Sequence, residues 1–248
     1  MKIEVGYYLM PNELKNLRVV AEAKHGEISS EQLKTSVEVI TNFLNKHPRV
    51  FAVRVDLRFP HIPVMDDPDM PTGFPPEVEE EEVITRFFAS LKSQIQALRH
   101  RKGQTGKRFF LGYIWVKEQV TSQHPHYHVV LLFNRDDYGY LGDYSSFDAD
   151  NMATRIRKAW CRALRLAYPD YASLVHFPPD AEYRFDRRDA VLHNDKFYDF
   201  LERIGYFFKL RSKVEGGRNF GRSANSTSKC DTRLCRLTVL FEYLDRLP

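Results

Sequence analysis

The chain has 248 residues, of which 43% are hydrophobic and 28% charged, the balance of a globular protein long enough for one large domain or two small ones. A net charge of +4 and a pI near 8.8 lean towards a polyanionic partner. No apolar run reaches the roughly 18 residues of a membrane span, Met1–Met10 carries Lys2 and Glu4 without an apolar signal region, and three cysteines make no disulfide framework. A location in a reducing cytoplasm is therefore expected. Cys230 and Cys235 form at most half a zinc site, spaced wider than the commonest knuckle and with no second pair.

Leu33, Val37, Ile40 and Leu44 recur at helical spacing and predict a helix over 30–45, with Ser30 as its cap. Phe51, Val53, Val55 and Leu57 alternate with Arg54, Asp56 and Arg58, which predicts a half-buried strand with one charged face. A proline-rich connection, Pro60 to Pro76, excludes regular structure. Glu79–Glu82 then open a helix that Arg99–Lys102 close, acid at the start and base at the end, with Val83, Phe87, Leu91, Ile95 and Leu98 as its core stripe. After the turn Gly103–Gly106, residues 109–118 and 126–133 read as an antiparallel strand pair joined by Gln119–Pro125. An Arg-rich helix around Trp160 spans about 148–167, and short strands lie near 174–177 and 183–185. Another helix spans 195–213; beyond it a Gly-, Ser- and Asn-rich tail precedes a possible terminal element at Leu237–Leu244. The chain contains no internal repeat and no clean linker, so one domain is expected.

In the triplet His126-Tyr127-His128 the strand period of two sends both imidazoles to one face and Tyr127 to the other. Glu118 ends the preceding strand, so antiparallel pairing brings a carboxylate beside two imidazoles. Two nitrogens and an anionic oxygen suit Mg²⁺ or Mn²⁺ at a phosphate, and tolerate zinc. The plain alternative is a pair of surface histidines near a turn. His61, His100, His124 and His176 read as bystanders.

Tyr206 is followed at the third position by Lys209. On a helical wheel Phe197, Phe200, Leu201, Ile204, Phe207 and Phe208 share one arc, while Tyr198, Tyr206, Lys209 and Lys213 fall roughly opposite. That places the Tyr206 phenol in a polar, basic setting. A neighbouring ammonium favours phenolate or orients a phosphate, which a nucleophilic tyrosine requires. The plain alternative is a surface tyrosine with its hydroxyl in water. Tyr198 is the reserve nucleophile.

Taken together, the charged strand at Arg54, the Glu118 and His126-Tyr127-His128 hairpin, and the Tyr206-Phe207-Phe208-Lys209 segment resemble the HUH endonucleases. Phe51–Phe59, His124–Asn134 and Gly205–Lys213 followed by Gly216–Arg222 resemble more closely the phage-type replication proteins of the inovirus and YagK/YfjJ C-terminal family. This resemblance implies an α+β fold with an RRM- or ferredoxin-like core: a central antiparallel sheet, helices on one face and the active site on the other. It places the motif-bearing core at about 47–222, with 1–46 and 223–248 of unassigned role. It also implies metal-dependent nicking and joining of single-stranded or hairpin origin DNA, with His126, His128 and Glu118 as metal ligands. Tyr206, assisted by Lys209, would form a 5′-phosphotyrosine that initiates rolling-circle replication of a phage, prophage or plasmid. No nucleotide cofactor is implied, because the tyrosyl ester conserves the bond energy and no glycine motif for ATP is present. The chain carries no helicase motif, so unwinding falls to a host helicase or to supercoiling. Leu210 stands where many initiators carry a second tyrosine. Arg54, Arg58, Arg211, Lys213, Arg218 and Arg222 are expected to contact DNA phosphates, joined by Arg155, Arg157, Lys158, Arg162 and Arg165 if these are not merely solvated; Phe220 or Tyr140 would stack on a base. Two alternatives stay open: a non-catalytic DNA-binding regulator derived from such an enzyme, and a hydrolytic metallonuclease.

Overall fold

Hydrophobic alternation on the central strands reaches both faces of one antiparallel sheet, and helices cover both. The computed structural model describes residues 9, 11–60, 80–104, 106, 109–119, 125–192, 194–212 and 218–224. Within them the strands are β1 (Arg49–Arg58), β2 (Gly112–Glu118), β3 (His126–Asn134), β4 (Val175–His176), β5 (Glu182–Asp186) and β6 (Phe220–Arg222). Their spatial order is β4-β1-β3-β2-β6, and β5 also pairs with β1. The helices are α1 (Pro11–His25), α2 (Ser30–Lys46), α3 (Glu80–Arg101), α4 (Met152–Ala163), α5 (Arg187–Val191) and α6 (Asp195–Gly205). Beyond Pro60 the proline-rich connection, and Cys230, Cys235 and Leu237–Leu244, lie outside the described residues.

The first face of the sheet presents Phe51, Val53, Val55 and Leu57 of β1 and Tyr127, Val129 and Leu131 of β3 to α3 and α4. Trp160 of α4 is fully buried there. Its indole N–H donates to the Arg58 carbonyl at 2.8 Å, which satisfies the one polar atom a buried tryptophan brings with it.

On the second face Val50, Ala52, Ile114, Val116, Val130 and Leu132 meet α2, α1 and α6. The α+β class and the antiparallel hairpin match expectation, but helices confined to one face do not. Leu17, Ala21, Leu33, Val37, Ile40, Phe197 and Phe200 supply too much apolar surface to stay in water. Residues 11–46 are thus part of the core, not an appendage. Gly112 allows the close approach of α2, since a Cβ there would lie 2.7 Å from the Phe43 ring.

The cap of α2 is Ser29, one residue before the expected one, its side chain accepting from the Gln32 N–H. A larger difference concerns the helix expected over 195–213, which stops at Gly205. Tyr206–Phe208 form a 3₁₀ turn, and Lys209 is extended, with φ −57° and ψ 132°. Tertiary hydrogen bonds replace the helical ones. The Ser29 N–H donates to Phe208 O at 2.8 Å, and the Leu210 N–H to Glu27 O at 2.9 Å. Wheel geometry therefore does not govern the Tyr206–Lys209 pair.

Candidate metal and tyrosine site

β2 and β3 pair so that Glu118 faces His126 and Val116 faces His128, while on the other side of β3 Asp56 faces His128 and Arg58 faces His126. The strand period then sets Glu118, His126, His128 and Asp56 on the second face. Tyr127 turns to the first, between Trp115 and Trp160. The charged face of β1 is accordingly only partly open to solvent: Asp56 is buried, Arg54 half-buried and Arg58 exposed.

One ligand atom from each of Glu118, His126 and His128 lies within 4.8 Å of the others. The two histidine Nε2 atoms are 3.2 Å apart, and His128 Nε2 is 3.3 Å from Glu118 Oε2. On its far side His128 Nδ1 lies 2.6 Å from Asp56 Oδ1. Asp56 fixes the proton on Nδ1, so in the neutral ring the Nε2 lone pair points at Glu118 and His126. Lone pairs facing one another at such distances need a proton or a cation between them. The donor set, two imidazole nitrogens and a carboxylate backed by a second carboxylate, fits a divalent ion.

Protonation follows the same geometry. Burial works against charge on His128, yet hydrogen bonds to Asp56 and Glu118 raise it above the ordinary histidine range. Burial would raise Asp56, but the His128 hydrogen bond and charge, with Arg54, hold it at about 2. His126 is lowered, by burial first and then by the charge of His128.

The tyrosine segment arrives on this same face. The Tyr206 ring centroid is 5.9 Å from that of His128, and Phe207 stacks on the His128 ring at 5.4 Å. Lys209 does sit beside Tyr206, its Nζ 3.6 Å from the ring centroid, but it is buried and ion-paired to Glu118 Oε2 at 3.2 Å. Its ammonium thus bridges the metal-ligand set and the phenol ring instead of standing in solvent. The Arg54 guanidinium carbon lies 5.5 Å from the Tyr206 centroid. Lys24, His25, Arg54, Asp199, Glu202, Arg203 and Tyr206 line a cleft of about 430 Å³. His25 is edge-on to Tyr206 at 5.3 Å. Burial and then the charges of Lys209, Lys24 and Arg211 hold His25 below the usual histidine range.

Tyr198 is not brought into this cluster; its hydroxyl donates to Glu13 Oε1 of α1 at 2.5 Å. Arg58 and Arg211 are exposed on this side of the sheet. Arg222 donates to the Ser223 carbonyl, and Arg218 reaches instead over Trp115, 5.3 Å from its ring centroid. Lys213, His61 and His124 lie outside the described residues. In the Arg-rich segment Arg155 pairs with Asp150 and Arg157 donates to the carbonyls of Tyr144 and Ser146, while Lys158, Arg162 and Arg165 are exposed; α4 packs on the opposite face. Phe220 packs on Phe208, while Tyr140 is exposed.

Three residues of the site were missed or set aside in sequence. Asp56 was readable from strand alternation, which aligns it with Arg54. His25 lies far from every motif, and only the tertiary fold discloses it. His176, taken as a bystander, reaches Asp56 Oδ2 at 3.5 Å because β4 pairs with β1 at that residue.

The YagK/YfjJ C-terminal domain family matches residues 10–223. The Escherichia coli (strain K12) uncharacterized protein YagK is 39% identical over 207 residues, covering 82% of this chain and 96% of the relative. The uncharacterized protein YfjJ of the same organism is 34% identical over 197 residues, covering 75% of this chain and 90% of the relative. No solved structure matches. The chain belongs to the YagK/YfjJ C-terminal domain family.

Proposed function

We propose that this YagK/YfjJ-family chain is a metal-dependent transesterase that nicks and rejoins single-stranded DNA through Tyr206, an HUH-type activity that initiates rolling-circle replication. The observation that carries the reading is one convergence: Glu118, His126, His128 and Tyr206 come from three separate stretches of sequence and meet on one face of the sheet.

A bound Mg²⁺ or Mn²⁺ would polarise the scissile phosphate and neutralise the charge that develops on it. His126, His128 and Glu118 would hold that ion, with Asp56 keeping His128 in the ligating tautomer. Arg54 and Lys24, at the tyrosine cleft, attract the phosphate and fix its approach. The Tyr206 oxygen bonds to phosphorus as the bond from phosphorus to the 3′ oxygen breaks. The phenolic proton passes to His25, and the departing 3′ oxygen takes a proton from solvent to become a hydroxyl. Rejoining reverses the sequence: a 3′ hydroxyl attacks the phosphotyrosine and frees Tyr206. One ester replaces another at each stage, so no nucleotide is consumed.

The test is a denaturing gel with a 3′-labelled single-stranded oligonucleotide and Mn²⁺. The wild-type chain is expected to give a covalent adduct, and Tyr206→Phe to lose it while still binding the DNA. Cleavage without adduct would replace this reading by a hydrolytic metallonuclease. Binding without cleavage under any divalent ion would leave a non-catalytic DNA-binding protein.

A further inference from the structure

A second cleft, of about 680 Å³, opens between α3 and the β2–β6 edge, lined by Lys92, Gln96, Arg99, His100, Gln104, Phe109, Phe110, Leu111, Tyr113, Ser223 and Ala224. Its position separates it from the metal and tyrosine site. Tyr113 and Glu118 are five residues apart on β2, about 17 Å at the rise of a strand, and their side chains leave opposite faces of the sheet.

Among the described residues the lining contains no carboxylate. Lys92, Gln96, Arg99 and His100 follow one another along α3 at spacings of four, three and one residues, a stripe along one side of the helix. Arg99 is neutralised from behind by Asp137, 3.7 Å away, which leaves Lys92 as the cation facing the opening. The aromatic wall is held in place: Tyr113 stacks on Phe88 with centroids 3.7 Å apart and planes at 15°, and Lys92 Nζ sits 5.3 Å from the Tyr113 centroid. Phe109 is braced edge-on by Tyr138, and Phe110 by Phe43. Fixed rings beside a cation and amide groups, with no anion to repel a backbone, form the combination that takes a stacked base with its phosphate. An acidic peptide would find the same cation but would have no use for the aromatic platform.

We infer that the α3–β2–β6 cleft is a second contact for single-stranded DNA, seating a nucleotide or two of the strand after it rounds the β6 edge from the metal site. The inference rests on the nucleic-acid reading above, but not on cleavage. Arg218, over Trp115 on this same side of the sheet, marks the path between the two sites.

The experiment is fluorescence anisotropy with a 25-nucleotide single-stranded probe in chelator, where no covalent chemistry intrudes. Lys92→Glu/Gln96→Glu changes two solvent-facing side chains of α3 and shifts the net charge by −3. Lys34→Glu/Lys15→Gln on α2 and α1 changes two exposed side chains, makes the same charge change elsewhere and serves as control. The cleft variant is expected to bind at least tenfold more weakly and the control to stay within threefold. Lys92→Gln should flatten the salt dependence by about 0.7 in log–log slope, one phosphate contact of single-stranded DNA. Adduct formation on a probe just spanning the nick should be unchanged in the cleft variant. Wild-type affinity in the cleft variant, or an equal loss in the control, overturns the inference. Loss of binding in the cleft variant, from a wild type that binds DNA but forms no adduct, overturns the nicking activity and leaves the cleft standing.

Discussion

Asp56→Asn isolates the support beneath the metal ligands. The carboxylate is buried and lies 2.6 Å from His128 Nδ1. Asparagine keeps an oxygen able to accept from Nδ1, so the tautomer survives while the negative charge is lost. A carboxyl held at about 2 instead of 3.8 reflects about 2 kcal/mol of preference for its charged form. Most of that should be lost from the metal-free fold. The pH window follows from both partners. The contribution of Asp56 is present above its unfolded value of 3.8 and is lost as pH falls through about 2. That of His128 is present below 6.5 and is lost as pH rises through its raised folded value. In chelator, the melting-temperature gap between wild type and variant should thus be widest between about pH 4 and 6.5 and narrow as pH rises through the raised folded value of His128. Calorimetric titration with Mn²⁺ at pH 8 should show affinity lowered 10- to 100-fold. A folded Asp56→Asn protein binding Mn²⁺ within twofold of wild type would refute the role given to this carboxylate.

Lys209→Met should destabilise the metal-free protein by about 3 kcal/mol, because it strands the buried Glu118 charge; Mn²⁺ should restore much of the loss, and melting with and without the ion reads both. Tyr198→Phe removes the hydrogen bond to Glu13, so unfolding in urea should shift by about 1 kcal/mol with adduct formation unchanged; loss of the adduct would move the nucleophile to Tyr198. Gly112→Ala pushes a methyl into the Phe43 ring and should cost about 1–3 kcal/mol in chemical denaturation; a neutral result would show that α2 yields easily.

The sheet and its hairpin were legible because strand periodicity is local: the alternation at Phe51–Leu57 and the His126-Tyr127-His128 triplet each fix which side chains share a face. That same rule brought Glu118 to the two imidazoles. The end of α6 was not legible, since Tyr206–Lys209 has ordinary helical composition and departs from the helix only because its backbone finds Glu27 and Ser29. Lys209 was placed wrongly for that reason: the wheel puts it in solvent, whereas the extended backbone delivers it to Glu118. Coverage of the second face was missed because a helix read in isolation shows an apolar stripe but not which side of a sheet the stripe will choose.

The strap that carries Tyr206 is held by the Glu27–Ser29 turn at the far end of the chain. The ligand trio, by contrast, needs only a hairpin and its neighbour strand. All three ligands, and Asp56, lie within residues 49–134 and are therefore synthesised well before the nucleophile. The phenol is delivered last, when residue 210 closes back on residue 27, a contact spanning most of the sequence and slow for that reason. A fragment begun after residue 29 would lack both the clasp on Leu210 and the α1 side chains Leu17 and Ala21 that fill the core on this face, leaving the attacking group unmoored.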